Sequence, residues 1–477
     1  MREQQLVHQI GENGEISGPP FPSCLGVRLD RLVNVRATSP RIKDTVIAGL
    51  ISFLLAGCAA PAVRDATSDR PDSLRSANAT FASVAALSSD SRHPPDDLRP
   101  ILQSEIDRAG IPGIAAVVLF GDRIVAQGAA GVRRKGFATP VTIDDEFEIC
   151  SCSKAMTATL VGLLVDEGKL RWDSPVSNFF ADADPAIDSA WRQVTIWHLL
   201  THRAGLRDLI GPMLVSTYFG HGSFTAQREK FAEKMLRHRP ASPPGATFVY
   251  SSADYIVIAA ILEKVTGESW ERLMRERLFG PLAAASAGFG PPGKPGQLDQ
   301  PWGHGKHQIL HLDAFGQGDT AIDPGSGSAD FPMVWAPAGL VHMSVPDWAK
   351  FAACHLRGDS DNPNLHCILL SNEAFARLHR AAPTEDYAGG WQIGSRSWAK
   401  GNHTGNTGRV LFHAGDNGRW NSVVWIAPEI DFAVLIASNR AHTWSAIDAI
   451  AGRLVGAYSP RARVAATSAP LSSSASP

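Results

Sequence analysis

The chain has 477 residues, 44% apolar and 19% charged, a globular balance that excludes collagen-like, wholly disordered and polytopic membrane proteins. Its 45 Lys and Arg against 47 Asp and Glu leave a formal charge of −2, which argues against a nucleic acid partner, since that calls for a basic face. Length alone allows about three domains of roughly 150 residues, but the two ends stand apart from the centre and leave one large folded unit.

Residues 1–40 hold no sustained period. Basic Arg41-Ile-Lys43 then precedes an apolar run from Thr45 to Ala56, too short for the roughly 20 residues that span a bilayer. Basic residues, a short apolar core and small residues describe an export signal. Its end, Leu55-Ala56-Gly57-Cys58, resembles the lipobox of bacterial lipoproteins, which implies cleavage before Cys58, lipid on that residue and a membrane-anchored place in the cell envelope. A signal opens a chain, so residues 1–32 are expected to be an extension, with Val33 or Val35 as the start, or else part of a long leader. Residues 1–57 are thus read as extension and signal, and 58–97, rich in Ala, Ser, Asp and Pro, as a flexible tether. Residues 458–477 are read as a disordered Ala, Ser and Pro tail, leaving 98–457 as the folded domain.

Within it, β-rich runs Ile114–Phe120 and Arg123–Ala126 flank a Gly121-Asp122 turn and predict a hairpin. Val410–Phe412, Ser422–Ile426 and Phe432–Ile436 predict three more strands, the last two joined at Pro428–Asp431, and Thr443–Val455 predicts a closing helix. Helical periodicity marks Val194–Leu200, Ala226–Arg237 and Asp254–Val265. Strands from both ends of the domain around a helical middle give an α/β or α+β class. The architecture expected is an antiparallel sheet flanked by helices, with a helical insertion at about 166–334.

Candidate chemistry begins at Ser151-Cys-Ser-Lys154, opening a helix whose Met156, Leu160, Leu163 and Leu164 share an apolar face. Residues three apart on a helix meet, so the Lys154 amine can reach the Ser151 hydroxyl, and a partly desolvated amine is a suitable base. The helix N-terminus also offers backbone N–H groups to a developing oxyanion.

Phe147–Lys154 together with Leu199–Leu206, Pro244–Ser252, Pro337–Val341, Gly389-Gly-Trp391 and Phe412–Gly415 resembles, in order and spacing, the serine β-lactamase and penicillin-binding superfamily. The likeness covers nearly all of 98–457 and lies on the side of class C enzymes, DD-peptidases and related esterases. It implies a β-lactamase/transpeptidase-like fold, Ser151 as nucleophile, Lys154 as its proton acceptor and Tyr250 as proton relay. The backbone N–H groups of Ser151 and Asp416 would then form an oxyanion hole, with His413, Gly415 and Ser252 lining the substrate. Ser252 stands where the family usually has Asn, and His413 where it has Lys or His. No cofactor, metal or nucleotide is expected; the partners implied are a small ester, amide or β-lactam substrate, and the membrane through the lipid.

Three classes follow: an ester or amide hydrolase, a β-lactamase or D-alanyl-D-alanine carboxypeptidase, or a non-catalytic penicillin-recognising or structural relative. His413, an imidazole in place of an ammonium, predicts that simple esters are preferred to β-lactams, unless Arg409 or Arg419 rebuilds an anion site. Other signals are set aside. Gly288-Phe-Gly290-Pro-Pro-Gly293 fits a nucleotide-loop spacing, but prolines follow where a helix should start. His304, His307 and His311 have ligand-like spacing without a supporting Cys or His-Glu pattern. His202, before Gly205, is expected to be structural, and no Gly-x-Ser-x-Gly elbow is present. Cys24 falls before the signal, Cys150 and Cys152 are expected to be packing residues, and Cys354 and Cys367 are either two thiols or a disulfide.

Overall fold

Alternating apolar runs at the two ends of the domain meet in one sheet. The computed structural model describes residues 94–460 except 181–185, 207–219, 306–318, 359–366, 368 and 383–384, together with Leu87 and the strand pair Gln9–Ile10 and Ile16–Ser17. The signal, Cys24, Cys58, most of the tether, His307, His311 and the C-terminal tail beyond 460 lie outside the described residues.

In chain order the elements that build the site are β1 (Asp96–Asp97), α1 (Arg99–Ala109), β2 (Gly113–Phe120), β3 (Arg123–Gly131), β4 (Glu146–Glu148), α2 (Ser153–Asp166), α3 (Ile196–Leu200), α4 (Phe224–Leu236) and α5 (Ser252–Thr266). They continue with β5 (Gly288–Phe289), β6 (Val341–Ser344), α6 (Val345–Arg357), β7 (Gln392–Ser395), β8 (Arg409–Asp416), β9 (Asn421–Ala427), β10 (Phe432–Ser438) and α7 (Trp444–Tyr458). The main sheet runs β7-β8-β9-β10-β2-β3-β1, antiparallel except for the last step, where β1 lies parallel to β3. A wholly antiparallel sheet was the expectation; the two-residue edge strand, entered directly from the preceding segment, is the departure. A smaller sheet, β4-β6-β5, stands beside it.

The period of two along each strand sorts side chains to opposite faces. Val117, Leu411, Val424 and Leu435 point to the side of α2 and α6, whereas Val118, Val410, Phe412, Trp425 and Val434 pack with α1 and α7. Both faces of β2 and β10 are therefore covered, and their sequences are apolar except for Ser438 at the end of β10. The predicted strands and helices are all present, with ends set by caps. Thr195 caps α3, so the helix begins two residues later than the periodicity suggests, and Ser223 caps α4. Helices α1 and α6 and strands β1, β5, β6 and β7 were not anticipated. Ser151 itself lies in a 3-10 turn, Cys150–Cys152, and the α-helix starts only at Ser153.

Cys354 and Cys367 are bridged, with Cα atoms 5.0 Å apart, at the end of α6. Closing a loop of that size stabilises by about 3 kcal/mol in the chain-entropy account. Cys150 and Cys152 are buried and free. Among the described residues no helix is long and apolar enough to cross a membrane.

Candidate active site

Strand β4 delivers the chain to Ile149, whose N–H donates to Val341 O at 2.9 Å. The next residue, Cys150, has φ +48°, a left-handed conformation that costs a non-glycine residue about 1–2 kcal/mol. Its thiol, reaching Glu148 O at 3.7 Å and Trp420 O at 3.6 Å, holds that turn from inside. Cys152 Sγ lies 3.4 Å from Ser422 Oγ, and Ser153 Oγ donates to Cys150 O at 2.7 Å. Burial pushes both thiols up, Cys152 to about 12, so neither competes as a nucleophile. The outcome is a pinned turn from which Ser151, half-buried, faces the site between two buried cysteines.

Three residues on, Lys154 is fully buried. Its Nζ lies 3.1 Å from Ser151 Oγ and 3.4 Å from Ser252 Oγ and donates to Ala338 O at 2.7 Å. Ser252 thus keeps a contact with Lys154 despite being shorter than Asn. The ring of Tyr250, half-buried, has its centroid 4.9 Å from Nζ.

Tyr250 ends the approach to α5 and is held by His202. The His202 carbonyl accepts from Val249 N–H at 2.8 Å, while its Nδ1 lies 3.3 Å from Ser251 N and 2.7 Å from Asp254 Oδ2. Burial pushes Asp254 well up and His202 well down. The imidazole packs 4.4 Å from the Tyr250 ring. His202 stands in the wall behind Tyr250 rather than at a mere helix end.

On β8, Gly415 is required by contact: a Cβ there would lie 2.6 Å from Ile149 O and 2.9 Å from Ser151 N. The strand therefore runs against the Ser151 turn. His413, on the same face, is 1% exposed, and burial lowers its pKa to about 3. Its Nδ1–H donates to Ala414 O at 2.8 Å, which leaves Nε2 to accept from the Tyr387 hydroxyl at 3.1 Å. A neutral imidazole with both nitrogens engaged stands at this point of β8. The Asp416 carboxylate accepts from Gly418 N and His442 N and pairs with His442 Nδ1 at 3.0 Å, so at the site Asp416 offers its backbone.

The two arginines considered as an anion site are placed otherwise. Arg419 is fully buried, its Nε donating to Ser328 O at 2.9 Å and its Nη1 to Gly418 O at 2.8 Å. Arg409 opens β8 opposite Ser395, about 13 Å along the strand from His413 at 3.3 Å per residue. His304 is also committed: Nδ1 donates to Asn439 O at 2.8 Å, Nε2 accepts from Lys135 N at 3.0 Å, and burial lowers it to about 4. Among the described residues no group of three or more His, Cys, Asp or Glu is arranged to hold a metal. Gly288–Phe289 is a strand paired with β6, not a phosphate loop.

Tyr387, Asp254 and the Ala338 carbonyl were missed from sequence. Tyr387 precedes the Gly389-Gly390-Trp391 motif by two residues, and that adjacency was its one signal.

Residues 98–457 match the family described as Beta-lactamase. Penicillin-binding protein 4 of Amycolatopsis lactamdurans is 30% identical over 294 residues, 61% of this chain and 70% of that protein. Esterase EstB of Burkholderia gladioli is 29% identical over 184 residues, 37% of this chain and 47% of that one. Among solved structures, the octameric penicillin-binding protein homologue from Pyrococcus abyssi superposes with a TM-score of 0.56 at 21% identity, covering 74% of this chain and 75% of the other.

Proposed function

The chain belongs to the beta-lactamase family and is a serine hydrolase of that fold, and from this premise we propose that it cleaves an ester or amide lacking a carboxylate beside the scissile bond, through an acyl-enzyme on Ser151. The observation that carries the reading is the buried Lys154 amine 3.1 Å from the half-exposed Ser151 hydroxyl. Ser151 Oγ attacks the carbonyl carbon as its proton passes to Lys154 Nζ. The tetrahedral oxygen is received by the N–H groups of Ser151 and Asp416, in the place where β8 lies against the turn. Tyr250, beside Lys154, protonates the leaving alcohol or amine, and the acyl–O or acyl–N bond breaks. Water then attacks the Ser151 ester, giving a proton to the Tyr250 oxygen, the acyl–Oγ bond breaks as Lys154 Nζ returns its proton to Ser151 Oγ, and the acid departs.

The substrate class follows from His413. With its pKa near 3 it is neutral across pH 5–8 and cannot neutralise a carboxylate. One missing charge-assisted hydrogen bond is worth roughly 1.5–3 kcal/mol, or about 10- to 150-fold. Nitrophenyl butyrate is therefore expected to show a higher kcat/KM than a chromogenic cephalosporin, and His413→Lys to narrow the gap. A wild-type cephalosporin rate above the ester rate would overturn the preference.

We place the enzyme in the bacterial cell envelope, tethered by lipid at Cys58. The basic, apolar and small-residue order of 41–58 supports export, and a disulfide at Cys354–Cys367 suits an oxidising compartment. Cys58→Ser is expected to abolish labelling by radioactive palmitate and to move the protein out of the membrane fraction. A wild type that takes up no label would refute the anchor.

A further inference from the structure

Glu148, the last residue of β4, lies three positions before Ser151 and is fully buried; Asp330 is 9% exposed. Their carboxyl groups meet on one side-chain amide. Asn417 Nδ2 donates to Glu148 Oε2 and, at 3.3 Å, to Asp330 Oδ1. Two carboxylates in contact away from water cannot both be ionised, so a proton stays between them. Glu148 Oε1 is buried and no N–H or O–H donor among the described residues reaches it, so a proton held by the acid pair is what would satisfy it. Burial pushes both groups up, and buried Arg419 pulls against it. Two carboxyls, one proton and one guanidinium sum to zero charge.

Other charged or titratable neighbours do not disturb that sum. The Cys150 thiol, which faces Glu148, Asp330 and Asp416, is held neutral by burial. Asp416 is paired with His442, and His342, opposite Glu148 on β6, turns towards Glu146 at 3.6 Å.

The cluster joins three segments, two of which, β4 and the end of β8, border Ser151. Asn417 follows Asp416, and its Oδ1 accepts from Arg419 N at 3.1 Å and Trp420 N at 3.0 Å, shaping the β8–β9 turn from inside. Arg419 fastens Ser328 to the same turn, and Glu148 belongs to the strand that delivers Ser151. We propose that Glu148 and Asp330 share one proton and, with Arg419 and Asn417, form a neutral lock that positions the β8–β9 turn, and through it the Asp416 N–H, against Ser151. The positional half rests on the reading of Ser151 and Asp416 given above; the charge-balance half does not.

The test is an amide series in the full chain: Glu148→Gln, Asp330→Asn and the double variant, followed by thermal unfolding at pH 5–9 and by ester kinetics. An acid whose pKa is raised on folding binds more protons folded than unfolded, so wild-type stability should fall as pH rises from the ordinary carboxylate range through the raised pKa. Each single amide leaves one carboxylate for Arg419, and the expected result is a fold retained with that slope flattened. The double variant strands the guanidinium, and its Tm loss should exceed the sum of the single losses, with kcat falling at least tenfold and KM within about threefold. Additive Tm losses, or single variants that keep the wild-type slope, would overturn the lock. Should the double variant not fold, the slopes of the two singles decide. Fluorophosphonate labelling of Ser151 in wild type separates the two readings: absent labelling refutes the nucleophile, while the stability series judges the lock alone.

Discussion

Ser151→Ala is expected to lower kcat for the ester by at least about 10⁴-fold, Lys154→Ala by nearly as much, and the double variant by no more than either. The geometry gives the reason. Lys154 Nζ reaches the Ser151 and Ser252 hydroxyls and the Ala338 carbonyl at once, so the amine is oriented from three sides with Ser151 within proton-transfer reach. Removing the hydroxyl leaves an acceptor with no nucleophile, and removing the amine leaves a hydroxyl with no acceptor. The two act as a unit, and their losses do not add. Fluorophosphonate should add its mass to Ser151 in wild type and fail to do so in Ser151→Ala. Turnover retained by a Ser151→Ala protein with native circular dichroism would refute the assignment.

What the sequence disclosed about this site depended on distance along the chain. Ser151 and Lys154 are three apart, and local helical geometry alone brings them together, even though the turn is 3-10 at Ser151. The strands at the domain ends were legible because β-branched runs flanked turn residues such as Gly121 and Asp431. Tyr250, His413 and Ser252 were placed by resemblance, since no local rule connects positions about 100 or 260 residues away from Ser151. Chemistry set by burial was not legible at all. His413 as a strand residue reads as an imidazole near its ordinary pKa; only the surrounding Tyr387 and the closed strand face show it to be neutral and engaged. Arg419 likewise reads as a candidate anion site, whereas the fold buries its guanidinium against Ser328 O and Gly418 O. Glu148 looks like one more charged residue until Asp330 arrives from 182 positions away. Long-range burial, not motif spacing, decides which ionisable groups are charged.

Gly415→Ala is expected to reduce kcat by about 10²–10³, the scale of losing one oxyanion donor, with a smaller change in KM. The added methyl would stand 2.6 Å from Ile149 O, 2.7 Å from Cys150 Cβ and 2.9 Å from Ser151 N. None of these atoms is the end of a flexible side chain. All belong to a turn held by the left-handed Cys150 and by the bond from Ile149 N to Val341 O, so the turn cannot retreat cheaply. The strand must yield instead, and there β8 is held by its ladder to β9, Gly415 opposite Ser422 and Asp416 opposite Asn421, while the pairing with β7 ends at Phe412, so a shift of this end is drawn against the β9 ladder. Overpacking of this kind costs roughly 1–3 kcal/mol of stability, which a Tm measurement will register. Gly339→Ala provides the control on the other side of the same turn. There a Cβ would meet Cys150 C at 3.5 Å and Ser151 N at 3.7 Å, ordinary contact distances, and the expected change in kcat is under threefold. Equal losses in the two variants would mean that general crowding near Ser151 matters and the β8 approach does not. A Gly415→Ala protein within threefold of wild type would show that the Asp416 N–H plays no part in holding the oxyanion.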